Sequence, residues 1–135
     1  HINVGGDDHG APGSYFHPFK GKWRLPTTKH DIYKQAYQGG EKGDYLTDLL
    51  TSEAESFVDE NYNHPFFLYF SFYNVHTPLQ AKAEKIAKYQ SRPAGDRQNN
   101  PIYAAMLESV DESVGRIISR LKKHKIHNNP DSEAV

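Results

Sequence analysis

The sequence contains no cysteine, and this absence sets the first limit on its chemistry. Without thiols, the chain has no disulfide, no thiolate metal site and no cysteine nucleophile of its own. Long hydrophobic runs are also missing, because no apolar stretch reaches the roughly 18 residues that a membrane span needs. These absences leave imidazole, carboxylate and hydroxyl groups as the candidates for chemistry.

An excess of charge of one sign is missing as well. The 16 Lys and Arg residues nearly balance the 17 Asp and Glu residues, and the net charge is −1. A nucleic-acid partner would need a clustered basic face to neutralise phosphates. The one short basic cluster, Lys122, Lys123 and Lys125, closes a predicted helix, where cations suit the helix dipole. We therefore expect no nucleic-acid partner and no polybasic membrane patch.

Apolar residues are few and unevenly placed. The hydrophobic fraction is 36% although the chain has nine Tyr and seven Phe, and a globular domain usually has about 45–50%. The chain also begins at His1 and shows no signal peptide. We therefore expect this chain to be an internal part of a longer protein. Its own hydrophobic core is then small and packs against other segments of that protein.

The ends of the chain are poor in regular pattern. Eight of the ten glycines lie within residues 1–44, where neither a helical nor a strand period is found. A long ordered loop of this kind is usually functional, so we predict a substrate-side region here. Residues 127–135 form a polar tail without periodicity.

Three helices are predicted between these ends. Apolar residues recur at helical spacing over 45–61 and 102–122, and a shorter helix is predicted over 82–90. Asp44 or Thr47 is a candidate cap for the first helix. Pro101 suits the first turn of the last helix.

One strong strand is predicted over residues 66–73. The sequence FFLYFSFY is short, aromatic and apolar on both faces, which is typical of a central strand in an α/β sheet. A single strand cannot form a sheet, so its neighbours are expected outside this chain. His76 follows the strand, at the edge where open sheets bind ligands. The alternative is a loop histidine that only bonds backbone.

Two other polar groupings are weaker candidates. Asp7, Asp8 and His9 are adjacent, as in a metal site, but two or three ligands do not complete a cage, and a solvated turn is the preferred interpretation. GKWRLP, at residues 21–26, lacks the spacing of a phosphate-binding loop and follows no strand.

Four stretches together resemble one known family. Over residues 2–126 the chain is similar to the middle of type I, formylglycine-dependent sulfatases of the alkaline phosphatase superfamily, through GAPGSYFHPF, GDYLTDLLTSEAESFVDE, HPFFLYFSFYNVHTPLQAKAEKIAKYQ and NPIYAAMLESVDESVGRIISRLKK. The resemblance implies an α/β fold, with a mixed sheet sandwiched between helices. Residues 1–126 would then be part of a catalytic domain that hydrolyses sulfate esters, including those of carbohydrates. A periplasmic or secreted location is also expected from the family.

The resemblance carries one catalytic residue onto this chain. His76, in H-T-P, matches the family histidine that contacts the sulfate group or protonates the leaving oxygen. His9, Tyr15 and the 17–43 insert are candidates for substrate contact only. The resemblance also implies calcium and a formylglycine nucleophile, but the C/S-x-P-x-R motif is absent, and we expect no metal ligands in this chain. GKWRLP has Arg24 where a family signature has histidine, so no catalytic role is assigned to it.

Three functions remain open from the sequence. The chain is part of a sulfatase, a non-catalytic binding or scaffold piece with a sulfatase-like fold, or part of a related phosphodiesterase or phosphatase with a Thr or Ser nucleophile. In each case the rest of the domain is needed to complete the sheet. The chain alone is therefore expected to be inactive.

Overall fold

Three helices form most of the described structure, in the order α1 (Leu46–Asn61), α2 (Ala83–Gln90) and α3 (Pro101–Lys123). The three predicted helices are confirmed, each to within one residue at its ends. α3 packs against both α1 and α2. The computed structural model describes residues 12–19, 40–93, 95 and 99–127.

The predicted start of α3, with proline in its first turn, is confirmed, whereas the caps predicted for α1 are wrong. Asn100 caps α3 by accepting hydrogen bonds from the amides of Ile102 and Tyr103, with proline in the first position. At α1, neither Asp44 nor Thr47 is the cap, because Tyr45 holds that position without a side-chain hydrogen bond. The first amide of α1 instead donates to the carbonyl of Tyr15, at 2.8 Å. A distant part of the chain therefore completes the start of this helix.

The hydrophobic core lies where residues 12–19 meet α1 and α3. Its buried members are Tyr15, Phe19, Tyr45, Leu46, Leu50, Ala81, Ala105 and Met106. Between α1 and α3 the contact surface is lined by small hydroxyl side chains. Thr51 donates to the carbonyl of Thr47 at 2.6 Å and also shares a hydrogen bond with Ser113. These bonds pair hydroxyl groups that would be costly to bury alone.

The apolar stripe of α3 contains more residues than the described part of the chain buries. The buried face of α3 consists of Ala105, Met106, Ser109 and Ser113. Several larger members of the predicted stripe are exposed in the described structure, namely Tyr103, Leu107, Val114 and Ile118. Among the described residues, no helix is both long and apolar enough to cross a membrane.

Residues 66–73, here called the aromatic run, differ from the predicted buried strand. The structure shows neither helix nor strand in the run, and its residues alternate between half-buried and exposed. Phe66 packs edge-on against Phe57 of α1, whereas Phe67 and Tyr69 are 85% and 79% exposed. Such a period of two is typical of extended chain. Within the described ranges no strand pairs with the run, so its place in a sheet stays a prediction.

A partly buried ion cluster joins α2 to α3. The carboxylate of Glu108 lies 2.6 Å from the Lys88 ammonium and 3.6 Å from that of Lys85, which also pairs with Glu112. The hydrogen bond from Lys88, followed by one from Tyr89, lowers the pKa of Glu108 to about 2. The Glu108 side chain is only 14% exposed, whereas Lys88 and Glu112 are about half exposed, so solvent screens the outer part of this cluster.

We expect Glu108→Gln to destabilise the fold at pH 7 by about 1.5–3 kcal/mol, the usual value of hydrogen bonds to a charged group. The folded pKa lies below the ordinary value of 4.5, so the carboxylate stabilises the fold above pH 4.5, and this contribution disappears as the pH falls towards 2. Calorimetry of the complete protein from pH 7 to 3 measures the difference.

The matched control is Glu53→Gln, which changes an exposed glutamate of α1 for which the described structure records no ion pair. It should shift the thermal midpoint little at any pH. A difference between wild type and Glu108→Gln that stayed constant from pH 7 to 3 would contradict the assignment.

Candidate functional site

His76 lies in an exposed loop that follows the aromatic run. Its Nδ1 is 2.9 Å from the carbonyl oxygen of Thr77 and 3.3 Å from the hydroxyl of the same residue. A carbonyl oxygen can only accept, so Nδ1 carries a proton and donates. The described structure records no partner for Nε2. The ring is thus held by one nitrogen while the other is available.

This arrangement suits an anionic ligand. When the imidazole is protonated, Nε2 carries a hydrogen that can bond to an anionic oxygen. When Nε2 gives up that proton, the ring becomes neutral and keeps its bond from Nδ1 to Thr77. His76 can therefore either stabilise negative charge or deliver a proton to an oxygen.

The backbone around His76 is held from inside the core by Tyr15. The Tyr15 hydroxyl lies 2.6 Å from the carbonyl oxygen of Tyr73 and 3.0 Å from that of His76. The His76 amide donates to the same Tyr73 carbonyl at 2.8 Å, which closes the turn. Burial raises the pKa of the Tyr15 hydroxyl well above its ordinary value, so it remains a proton donor.

Asn74 links the loop to two helices. Its amide nitrogen donates to the carbonyl of Met106 at 3.1 Å and to the hydroxyl of Tyr45 at 3.3 Å. Its amide oxygen accepts from the hydroxyl of Thr47. Both hydrogen-bonding ends of the side chain are used, so the entry to the loop is fixed against α1 and α3.

Gln80 fixes the other end of the loop. Its side-chain oxygen accepts from the amide of Tyr15 at 2.8 Å and from the hydroxyl of Ser14 at 3.0 Å. Its backbone carbonyl accepts from the hydroxyl of Tyr45 at 2.9 Å. Residues 73–80, here called the His76 loop, are thus anchored at both ends and near the middle.

Of the other predicted site residues, one is buried and the rest lie largely outside the described part of the chain. Tyr15 is fully buried and its hydroxyl points at backbone carbonyls, which argues against the predicted substrate contact. His9 lies outside the described residues, as do Asp7, Asp8 and most of the 17–43 insert. In the described part of the chain, no group of three His, Asp or Glu residues is placed to hold a metal ion.

The residues that hold the His76 loop were not predicted from the sequence. Asn74 and Gln80 are neutral polar residues, and only their position close to His76 distinguishes them in the sequence. The buried Tyr15 hydroxyl bonds to Tyr73 and His76, which lie 58 and 61 positions further along the chain. A local pattern does not reveal contacts at such separations.

A second polar cluster lies between α1 and α3 and is best explained as structural. Arg116 and Arg120 pair with Glu55, and Arg120 also pairs with Asp59. His124 donates to Asp59 at 2.6 Å. The hydrogen bond from Arg116 lowers the pKa of Glu55. Since the two arginines already have carboxylate partners, they are poorly suited to hold a free anion.

Comparison with known proteins places this chain in a family. The family model described as Sulfatase matches residues 1–129. Human arylsulfatase H is 28% identical over 112 residues, which are 82% of this chain and 18% of that protein. Pig N-acetylgalactosamine-6-sulfatase is 26% identical over 132 residues, 89% of this chain and 23% of that protein. The chain thus spans about a fifth of the length of these curated relatives.

Solved structures agree with the sequence relatives. The crystal structure of Ps i-CgsB in complex with k-i-k-neocarrahexaose has a TM-score of 0.56 and is 41% identical, covering 67% of this chain and 20% of that chain. A second crystal structure of Ps i-CgsB has a TM-score of 0.55 and 35% identity over 76% of this chain and 26% of that one. Both similarities exceed the level at which only a fold is shared. The chain belongs to the sulfatase family.

Proposed function

We propose that this chain is the part of a sulfuric ester hydrolase that brings His76 to the sulfate group of the substrate. The observation that carries the proposal is the exposed imidazole, held through Nδ1 by Thr77 while Nε2 has no recorded partner in the described structure. Family membership supplies the reaction class.

The reaction converts R–O–SO₃⁻ and water into the alcohol, sulfate and a proton. Negative charge on the sulfate oxygens and on the departing oxygen must be stabilised as the S–O bond breaks. A protonated His76 donates from Nε2 either to a sulfate oxygen or to the departing oxygen. In both roles the loop holds the imidazole still, and this avoids the cost of orienting it during the reaction.

The remaining parts of the active site would come from the rest of the protein. The described residues do not fit a calcium site, and the chain has no motif for a formylglycine. Calcium and the nucleophile are therefore proposed to belong to other segments of the domain, with residues 1–126 as one part of it. The exposed face of the aromatic run supports its proposed place as a strand of a larger mixed sheet.

We propose a carbohydrate sulfate ester as the substrate. One relative is named for the 6-sulfate of N-acetylgalactosamine, and the structure with 41% identity holds a neocarrahexaose. A sugar needs polar loops around its sulfate group, and the loop-rich residues 1–44 supply polar side chains. His9 and the 17–43 insert remain candidates for that contact.

We expect the complete protein to release inorganic sulfate from an aryl sulfate and from sulfated oligosaccharides, with little release of phosphate from the matching aryl phosphate. The 135-residue chain alone should release neither, because it lacks the nucleophile. Steady-state assays of both proteins on the same substrates measure this.

Three results would overturn the proposal. Phosphate release by the complete protein in place of sulfate release would make it a phosphatase or phosphodiesterase. Sulfate release by the isolated chain would show that its own residues suffice. Absence of turnover on every sulfate and phosphate ester would favour the non-catalytic function.

A further inference from the structure

We propose that Tyr15 is a positioning residue that sets the direction of the His76 side chain through the backbone of the His76 loop. The inference rests on the proposed function of His76. Tyr15 itself does not touch the substrate, because the whole residue is buried. Its role replaces the substrate contact that the sequence predicted.

The Tyr15 hydroxyl is directed at the backbone on both sides of the turn. It lies 2.6 Å from the Tyr73 carbonyl and 3.0 Å from the His76 carbonyl, so its single proton is shared between the two sides of one turn. The His76 amide bonds to the Tyr73 carbonyl as well. These three groups fix the peptide units on both sides of the His76 α-carbon, and the direction of its side chain follows from them.

Tyr15 is itself held by contacts with several neighbours. Its ring stacks against that of Tyr45 with centroids 5.8 Å apart. Its amide donates to Gln80, and its carbonyl accepts the first amide of α1. Both backbone groups and the ring are therefore held. Because Tyr15 is held in this way, its hydroxyl fixes the position of the His76 loop relative to the core.

The buried Tyr15 hydroxyl has hydrogen-bond acceptors within reach. A buried O–H group is costly unless it is bonded, and phenylalanine would fill the same space without that requirement. Burial also raises the pKa of the Tyr15 hydroxyl, so the group stays protonated and remains a donor over the neutral pH range. It cannot act as a general base in that range.

The test is Tyr15→Phe in the complete protein, assayed on an aryl sulfate. The change removes one oxygen and keeps the ring. We expect kcat to fall by about 10- to 100-fold, as for a catalytic group misplaced by an ångström, with a smaller change in KM. The thermal midpoint should fall only slightly, which calorimetry on the same samples measures.

A double-mutant cycle separates this inference from the proposed function. If Tyr15 acts through His76, adding Tyr15→Phe to His76→Ala should cause no further fall in kcat. Multiplicative losses would overturn the positioning role while leaving the function of His76 intact. A normal kcat in His76→Ala would instead overturn the proposed function.

Ser113→Ala is the matched control for lost stability. It removes a buried hydroxyl that bonds Thr51 between α1 and α3, away from the His76 loop. It should lower the thermal midpoint by a similar amount and leave kcat unchanged. A normal kcat in Tyr15→Phe, or an equal fall of kcat in Ser113→Ala, would overturn the inference.

Discussion

Replacing His76 with alanine in the complete protein is expected to lower kcat on a sulfate ester by about 10²- to 10⁴-fold, the range found for general acid–base groups. The imidazole is exposed, and its recorded hydrogen bonds reach only the neighbouring Thr77. Its removal therefore leaves the core intact, and the thermal midpoint should stay within a degree or two of wild type. Steady-state kinetics and calorimetry on the same preparation measure both effects.

The control for this prediction is His64→Ala. His64 is another exposed loop histidine, at the opposite end of the aromatic run. Its side chain has no recorded partner in the described residues, so neither rate nor stability should change. If His76→Ala worked at the wild-type rate, His76 would be only a loop residue that bonds its neighbour.

Asn74→Ala is expected to cause the largest loss of stability, about 3 kcal/mol or more. The change leaves the Met106 carbonyl, the Thr47 hydroxyl and the Tyr45 hydroxyl without the partner that Asn74 provides. Each of the three lost hydrogen bonds contributes about 1 kcal/mol, and the Tyr45 hydroxyl keeps its bond to the Gln80 carbonyl. Because Asn74 also fixes the entry to the His76 loop, kcat should fall together with the thermal midpoint.

Asn61→Ala is the matched control, because the Asn61 amide makes a single bond, to the Phe57 carbonyl in the last turn of α1. That bond lies at a helix end, where a lost side-chain contact is replaced by water. We expect at most about 1 kcal/mol. Equal effects of the two substitutions would show that the Asn74 bonds contribute little.

Local patterns in the sequence were enough to predict the helices. The apolar spacing of α1 and α3 and the position of Pro101 act within a few residues, and all three helices appear within a residue of their expected ends. His76 was also found from its place after an apolar run, and resemblance to a family suggested its role. Neither step required a knowledge of packing.

Contacts between distant segments could not be predicted in this way. The start of α1 is completed by the carbonyl of Tyr15, so the expected caps Asp44 and Thr47 bond elsewhere. The apolar stripe of α3 indicated burial, but the small Ser109 and Ser113 are buried while Val114 and Ile118 remain exposed. A stripe gives the apolar face of a helix, but not which neighbour covers it.

The exposed side of the aromatic run has a consequence for aggregation while the protein is being synthesised and folded. FFLYFSFY contains eight residues with no charge, no proline and no glycine, a composition that favours stacking of identical strands between molecules. Until other segments cover Phe67 and Tyr69, the run is a site for aggregation. Pro65 lies directly before the run, and a proline there limits how far such stacking can extend.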